Sequence, residues 1–127
     1  MFSTRRLLVT ISLLELATGA GMLVLPALVI RLLFGTAEPS VEALIVCRVL
    51  GGALLAIGLT CWFARDDDPN PARQGILAGA LIFNVVAFAV LLWAGIYPVT
   101  TGLALWPVVL IHLLMAIWCA ARVRQRA

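Results

Sequence analysis

The chain has 127 residues, of which 64% are hydrophobic and only 12% charged, and its mean hydropathy is +1.13. Because soluble domains average roughly half apolar and a quarter charged residues, this composition excludes a soluble fold and predicts one integral membrane domain over residues 1–127. The net charge of +3 comes from arginines, mostly at the ends of apolar runs, where basic residues set topology, so no nucleic-acid partner is expected.

Four apolar runs predict the fold. They cover about residues 7–33, 41–64, 72–96 and 102–122. Each is near or above the roughly 20 residues that a helix needs to cross a bilayer, so the sequence predicts an all-α, four-helix transmembrane bundle. Turn-forming segments separate the runs: "GTAEPS", with Ser40 as the expected N-cap, "DDDPNP", with Asn70 as N-cap and Pro71 at the first helical position, and "GIYPVTTG".

The arginines predict how the helices are threaded. Seven precede the first run, bracket the second connection or lie at or beyond the end of the fourth run: Arg5, Arg6, Arg65, Arg73, Arg122, Arg124 and Arg126. Arg31 alone lies near the first connection, and the third carries no charge. The positive-inside rule therefore places both termini in the cytoplasm. The use of arginine without lysine, together with abundant alanine and glycine, favours a bacterial source and hence the inner membrane.

Five aromatic residues are expected at the two membrane interfaces. Under this threading, Trp62 and Trp118 fall at cytoplasmic helix ends, whereas Trp93, Tyr97 and Trp106 fall at outer ends. Tryptophan and tyrosine are enriched at the level of the lipid headgroups. These residues are therefore predicted to be interfacial anchors rather than cofactor contacts.

Each run also contains one strongly polar residue that neither topology nor anchoring explains: Glu15, Arg48, Asn84 and His112. Ionisable groups inside a membrane cost roughly 2.5–3.5 kcal/mol on insertion scales and usually face a protein interior or a cavity. At about 1.5 Å per residue, Glu15 lies about 12 Å from the cytoplasmic side, and Asn84 and His112 about 15 Å. These three residues are therefore candidates for one intramembrane polar layer.

Three interpretations of this layer remain open, and the last of them is that the polar residues face lipid by accident. In the first, Glu15, Asn84 and His112 exchange protons or contact a substrate. In the second, they tie helices together, and each hydrogen bond contributes about 0.6 kcal/mol. A cavity that reaches Glu15 favours the first interpretation, and a closed set of hydrogen bonds favours the second.

Arg48 lies deeper, about 24 Å from the cytoplasmic side by the same rise. Pro26 removes the hydrogen bond to the carbonyl group of Met22, which lies at a similar depth, so Arg48 is expected to satisfy that carbonyl. Contact with an anion or substrate and a salt bridge with Glu15 are the alternatives.

Glycines share the helical faces of Glu15 and Arg48, which predicts that both faces pack against other helices. These glycines are Gly19, Gly51, Gly52 and Gly58. The segment "GILAG" places Gly75 and Gly79 on a separate edge, where the G-x-x-x-G pattern favours a homo-oligomer or a larger membrane complex.

No motif indicates an enzyme, a metal site or a bound cofactor. Cys47, Cys61 and Cys119 form no C-x-x-C pair and are expected to be small packing residues. The single histidine cannot supply both axial ligands of a haem within one protomer, although a symmetric dimer would bring two together. No nucleophile elbow, phosphate loop or metalloprotease motif is present.

Two segments resemble known families. "LGGALLAIGL", residues 50–59 within a likeness over 48–64, resembles the Gly-Gly helix of DoxX-like four-helix membrane proteins, which implies a subunit of a membrane oxidoreductase assembly. "LLELATG", with Glu15 in the first helix, is similar to the small multidrug resistance exporters. That resemblance implies a glutamate that binds protons and cationic compounds competitively.

The sequence favours a non-catalytic accessory or structural protein that packs against itself or a larger complex. The alternative is a proton-coupled small-molecule transporter or channel, formed by a homo-oligomer, with Glu15 as the protonatable residue. A second alternative is a redox- or quinone-linked membrane subunit.

Overall fold

The computed structural model describes residues 3–97 and 102–124, which form five α-helices and no strand. The helices are α1 (Thr4–Val24), α2 (Pro26–Phe34), α3 (Val41–Ala64), α4 (Pro71–Ile96) and α5 (Leu105–Arg124). All except α2 are long and apolar enough to cross a membrane. The predicted all-α, four-helix transmembrane bundle is confirmed. Arg126, one of the arginines used to predict the threading, lies outside the described residues.

The first predicted span, 7–33, consists of two helices in the structure. Leu25, with φ −127° and ψ 51°, separates them, and its N–H donates to the Gly21 carbonyl oxygen at 2.8 Å. Pro26 has no N–H to continue the ladder but fits the first position of a new helix. The 21 residues of α1 rise about 32 Å, so α1 alone matches the roughly 30 Å hydrocarbon thickness of a bilayer.

Capping side chains begin the next two helices where the sequence predicts them. The Ser40 hydroxyl accepts from the Ala43 N–H at 3.2 Å, and the Asn70 side-chain oxygen accepts from the Arg73 N–H at 2.9 Å. These bonds satisfy backbone donors that have no partner within the helix. Helix α2 ends at Gly35, whose φ of 71° is a left-handed conformation that glycine adopts without strain.

The four long helices pack as two pairs, α1 with α3 and α4 with α5. Glycines allow the α1 and α3 backbones to touch. A Cβ atom added to Gly51 would lie 2.8 Å from the Gly19 carbonyl oxygen, and one added to Gly58 would lie 2.8 Å from Cγ of Leu16. Since lipid is as apolar as leucine, such close backbone contact is the main source of helix association in a membrane.

The two pairs meet in a buried core near the chain termini. We call this side of the bundle the termini end, and the opposite side the α2 end. The core contains residues from all four long helices: Leu7, Leu8, Ile11, Cys61, Ala64, Leu77, Ala80, Met115 and Cys119. Cys47, Cys61 and Cys119 are buried free thiols, so they occupy packing positions. The termini end is thereby closed by tightly packed apolar side chains.

Arginines connect the polar segments at the termini end. Arg5 Nε donates to Asp66 Oδ1 at 2.6 Å, and Arg65 Nε lies 3.1 Å from Asp66 Oδ2. The Arg73 guanidinium donates to the carbonyl oxygens of Asp67 and Arg65, at 2.6 and 3.2 Å. The start of α1 is therefore tied to the connection between α3 and α4.

The five predicted anchor residues divide between the two ends. Trp62 and Trp118 lie near the termini end, and the Arg65 guanidinium carbon is 4.0 Å from the centroid of the Trp62 ring. Trp93, Tyr97 and Trp106 lie near the α2 end with exposed side chains. The Trp93 and Tyr97 rings are stacked, with centroids 6.1 Å apart.

Two adjacent glycines of α3 offer a matched test of the helix pairing. We expect Gly51→Ala to destabilise the fold by about 1–3 kcal/mol, because its methyl group would overlap the α1 backbone. Gly52→Ala should leave stability unchanged or slightly higher, since a Cβ there meets no atom within 4 Å. Denaturant titration of both variants in mixed micelles measures the difference. Equal losses would contradict the proposed importance of the α1–α3 contact.

The pKa of Asp66 reports on the Arg5 contact. The hydrogen bond from Arg5 lowers the pKa of this carboxyl below its ordinary value, and the charges of Arg65 and Arg73 add to the effect. The stabilisation is present above the ordinary pKa and is lost as pH falls through the lowered one. We expect Arg5→Gln to raise the pKa of Asp66 in a carbon-13 NMR titration, and Arg124→Gln to leave it unchanged. An unshifted pKa in Arg5→Gln would show that the ion pair does not persist in solution.

Candidate functional site

A cavity of about 840 Å³ lies between the two helix pairs, on the α2 side of the buried core. All five helices contribute to its lining, among them Val29 of α2, Cys47 of α3, Phe83 of α4 and Val108 of α5. Its volume falls within the roughly 300–1,000 Å³ of sites that bind small molecules, and such sites usually combine apolar walls with a few polar groups.

The structure brings the three residues of the predicted polar layer to the wall of this cavity. Glu15 comes from α1, Asn84 from α4 and His112 from α5. Counted along their helices from the termini end, the three lie at depths of about 17, 20 and 18 Å. They therefore share one level near the middle of the membrane.

Asn84 and His112 form a hydrogen-bonded unit on the α4–α5 pair. The Asn84 amide nitrogen donates to the Ala80 carbonyl oxygen at 2.8 Å, one helical turn back. This bond directs the amide oxygen to His112 Nδ1, 3.0 Å away. Because an amide oxygen only accepts, Nδ1 is the donor in this pair. Nε2 is then the imidazole nitrogen left to bind another group, and the Phe83 ring contacts the imidazole edge to face, with centroids 5.7 Å apart.

Glu15 lies on the other helix pair and is buried. Among the hydrogen bonds between described residues, none involves its carboxyl group, so the polar layer is not a closed triad. One turn closer to the termini end, the hydroxyl of Ser12 is buried and also has no hydrogen-bond partner among the described residues. Buried polar groups without partners cost about 1–3 kcal/mol each, which makes this part of α1 a candidate site for proton or ligand binding.

Arg48 does not join the site. Its side chain lies on the exposed side of α3, and no hydrogen bond or ion pair joins it to another described residue. The expected bond to the Met22 carbonyl is not formed, because the preceding residue, Cys47, faces the kink: its Sγ lies 3.9 Å from the Pro26 carbonyl oxygen. Arg48 lies about 10 Å from the start of α3, so its long side chain can extend along the helix to the headgroup region.

Two backbone hydrogen bonds fix α2 to the segment that precedes α5. The Gly102 N–H donates to the Leu33 carbonyl oxygen at 3.1 Å, and the Ala104 N–H donates to that of Leu32 at 2.9 Å. A Cβ atom on Gly102 would overlap the Leu32 carbonyl group. These contacts satisfy the last carbonyl groups of α2 and connect the α1–α3 pair to the α4–α5 pair at the α2 end. No sequence motif marks this connection.

Other cavity-lining residues, such as Phe83 and Val108, carry no signal in the sequence. They are apolar residues in apolar helices, so nothing distinguishes them from residues that face lipid. Within residues 3–97 and 102–124, no three His, Cys, Asp or Glu side chains lie together in a group that could hold a metal ion. No family model matches the sequence, and no curated protein or solved structure matches the chain.

A double-mutant cycle tests the Asn84–His112 unit. We expect Asn84→Ala and His112→Ala to be coupled by about 0.6 kcal/mol, the average for hydrogen bonds between membrane helices. Glu15→Gln should show no coupling to Asn84→Ala, because no hydrogen bond joins Glu15 to Asn84. Unfolding of the single and double variants in mixed micelles gives these energies. Coupling of Glu15 to Asn84 as strong as that of His112 would instead indicate a closed triad.

Proposed function

We propose that this protein is a small proton-coupled membrane transporter that binds a largely apolar molecule in the cavity, with Glu15 as the proton-exchanging residue. The observation that carries this proposal is that the cavity reaches the Glu15 carboxyl, to which no described residue is hydrogen-bonded. A purely structural glutamate in a membrane would be expected to bond to neighbouring helices.

The polar groups of the cavity favour a ligand with a positively charged head. Three titratable side chains face the cavity: Glu15, His112 and Cys47. Of these, only the glutamate supplies a negative charge, and the arginines of the described chain do not line the cavity. An alkylammonium compound matches this arrangement, since its head would pair with the Glu15 carboxylate and its chain would contact the aliphatic walls. Release of the compound would accompany protonation of the carboxylate.

The paired arrangement of helices supports a transport cycle. Each pair is held together along its length, whereas the two pairs are joined mainly at the termini end and through α2. Rocking of one pair against the other would close the cavity at one end and open it at the other, as in other transporters that alternate access. The arginine distribution favours a cytoplasmic termini end, and the use of arginine without lysine, with abundant alanine and glycine, favours the inner membrane of a bacterium.

An accessory or self-assembling role is the second candidate, and three glycines favour it. A Cβ atom on Gly52, Gly75 or Gly79 would meet nothing within 4 Å, so these positions leave space in which another helix can approach closely. The two roles are compatible, because a transporter with only four membrane-spanning helices can also pack against a second copy through these glycines. Native mass spectrometry from nanodiscs distinguishes a homo-oligomer from a monomer.

Proton flux in proteoliposomes tests the proposed transport. We expect external decyltrimethylammonium to drive proton release from vesicles loaded with a pH-sensitive dye. Glu15→Gln should reduce this flux at least tenfold, because glutamine can neither carry the charge nor exchange the proton. Glu42→Gln is the matched control: this carboxyl lies at the exposed start of α3, outside the cavity, and its loss should leave the flux unchanged. Equal flux in Glu15→Gln and the unmodified protein would refute the role of Glu15.

A further inference from the structure

We infer that the cavity opens sideways to the lipid between α3 and α4, so that its ligand is a membrane-dissolved, single-chain amphiphile that enters from the hydrocarbon phase. This inference rests on the proposed function and specifies the ligand class and the access route.

Four side chains mark the opening. Val46 and Leu50 of α3 and Val86 and Val90 of α4 line the cavity, yet they are 65%, 42%, 53% and 57% exposed, respectively. A side chain that lined an enclosed cavity would be covered by its neighbours. Residues that both line the cavity and face the exterior lie at an edge of the cavity, and these four, two on α3 and two on α4, define the edge that we call the α3–α4 portal.

The four residues lie opposite one another at matched depths. Helices α3 and α4 run in opposite directions, and Val46 and Val90 each lie about 8–9 Å from the α2 end of their helix. Leu50 and Val86 each lie about 14–15 Å from that end, one turn deeper. The portal thus extends over about one helical turn in the half of the membrane nearest α2.

The portal follows from how the helices pack. Near the termini end, residues of both α3 and α4 belong to the buried core, including Ala64 and Leu77. Towards the α2 end, α3 follows α1 and α4 follows α5, so α3 and α4 separate. On the opposite side, between α1 and α5, helix α2 joins the two pairs through the Leu32 and Leu33 carbonyl groups.

The chemistry of the portal identifies the phase from which the ligand enters. All four edge residues are aliphatic, and an aliphatic edge facing acyl chains admits apolar molecules while presenting no polar group to water. The wall of the cavity behind it includes Glu15 and His112. A ligand that fits both the aliphatic portal and the polar wall of the cavity has one hydrocarbon chain, which lies in the portal, and one polar head, which reaches the polar layer.

Photolabelling in nanodiscs tests the portal. Two probes are used: a trimethylammonium amphiphile with a decyl chain that carries a diazirine, and a water-soluble diazirine with the same head and no chain. Peptide mass spectrometry then measures labelling at Met22 and Met115, which line the cavity on α1 and α5. We expect the amphiphile, and not the water-soluble probe, to label these residues.

Matched tryptophan variants locate the entry point. Val86→Trp and Val46→Trp should reduce amphiphile labelling at Met22 and Met115 at least fivefold, because indole rings would fill the portal. Val85→Trp and Val49→Trp are the controls, since these valines are 46% and 70% exposed on the same helices but do not line the cavity. They should label like the unmodified protein.

One further variant separates blockage of the portal from filling of the cavity. Ile111→Trp introduces the same ring on the opposite side of the cavity, where Ile111 of α5 and Thr18 of α1 also combine lining with exposure. Labelling that falls in Ile111→Trp and not in Val86→Trp would place the entrance between α1 and α5 and overturn the inference, as would an equal fall in both.

The remaining outcomes distinguish this inference from the proposed function. Labelling of Met22 and Met115 by the water-soluble probe would leave the binding cavity intact but refute entry from lipid. If neither probe labels these two residues while lipid-facing residues are labelled, the cavity takes up no such ligand, and the proposed function fails together with the portal.

Discussion

The backbone contact between Gly19 and Gly51 is the constraint on which the rest of the bundle depends. In a membrane, apolar side chains gain little by leaving lipid for protein, so helices associate where their surfaces fit most closely. The glycines bring α1 and α3 to backbone contact, and Gly95 similarly admits the Trp106 ring between α4 and α5, where an added Cβ would lie 3.1 Å from ring atoms. Four helices therefore become two pairs instead of one evenly packed bundle.

The space between the pairs is filled unequally, and Pro26 accounts for part of this difference. At the termini end, leucine, isoleucine and methionine side chains close the gap. At the α2 end, the proline interrupts the first span after α1 has already crossed the membrane, which leaves the nine residues of α2 free to take another direction. Their last carbonyl groups bond to Gly102 and Ala104 on the far side. Helix α2 thus connects the two pairs but leaves a space between them on the side nearer the termini end.

Some features of this architecture can be predicted from the sequence, and others cannot. Three of the four helix spans, the Ser40 and Asn70 caps, and the common level of Glu15, Asn84 and His112 are predictable, because they depend on counting residues along one helix. The direction in which Arg48 faces is not predictable, because it depends on which helix packs against α3. In a soluble protein, hydrophobic periodicity would show the buried face, but here lipid-facing and protein-facing residues are equally apolar. The cavity and the proposed portal cannot be predicted from the sequence for the same reason.

The three residues of the polar layer are divided between the two helix pairs. Asn84 is held by its own helix and in turn orients His112, so both groups move with α4 and α5. Glu15 moves with α1 and α3, and no hydrogen bond links it to the other two. A ligand or proton that interacts with both sides therefore favours one separation of the pairs over others, and a ligand can shift a conformational equilibrium only through such a difference in affinity. In the proposed transport cycle, the separation of these polar groups would therefore couple occupancy of the cavity to the relative position of the two helix pairs.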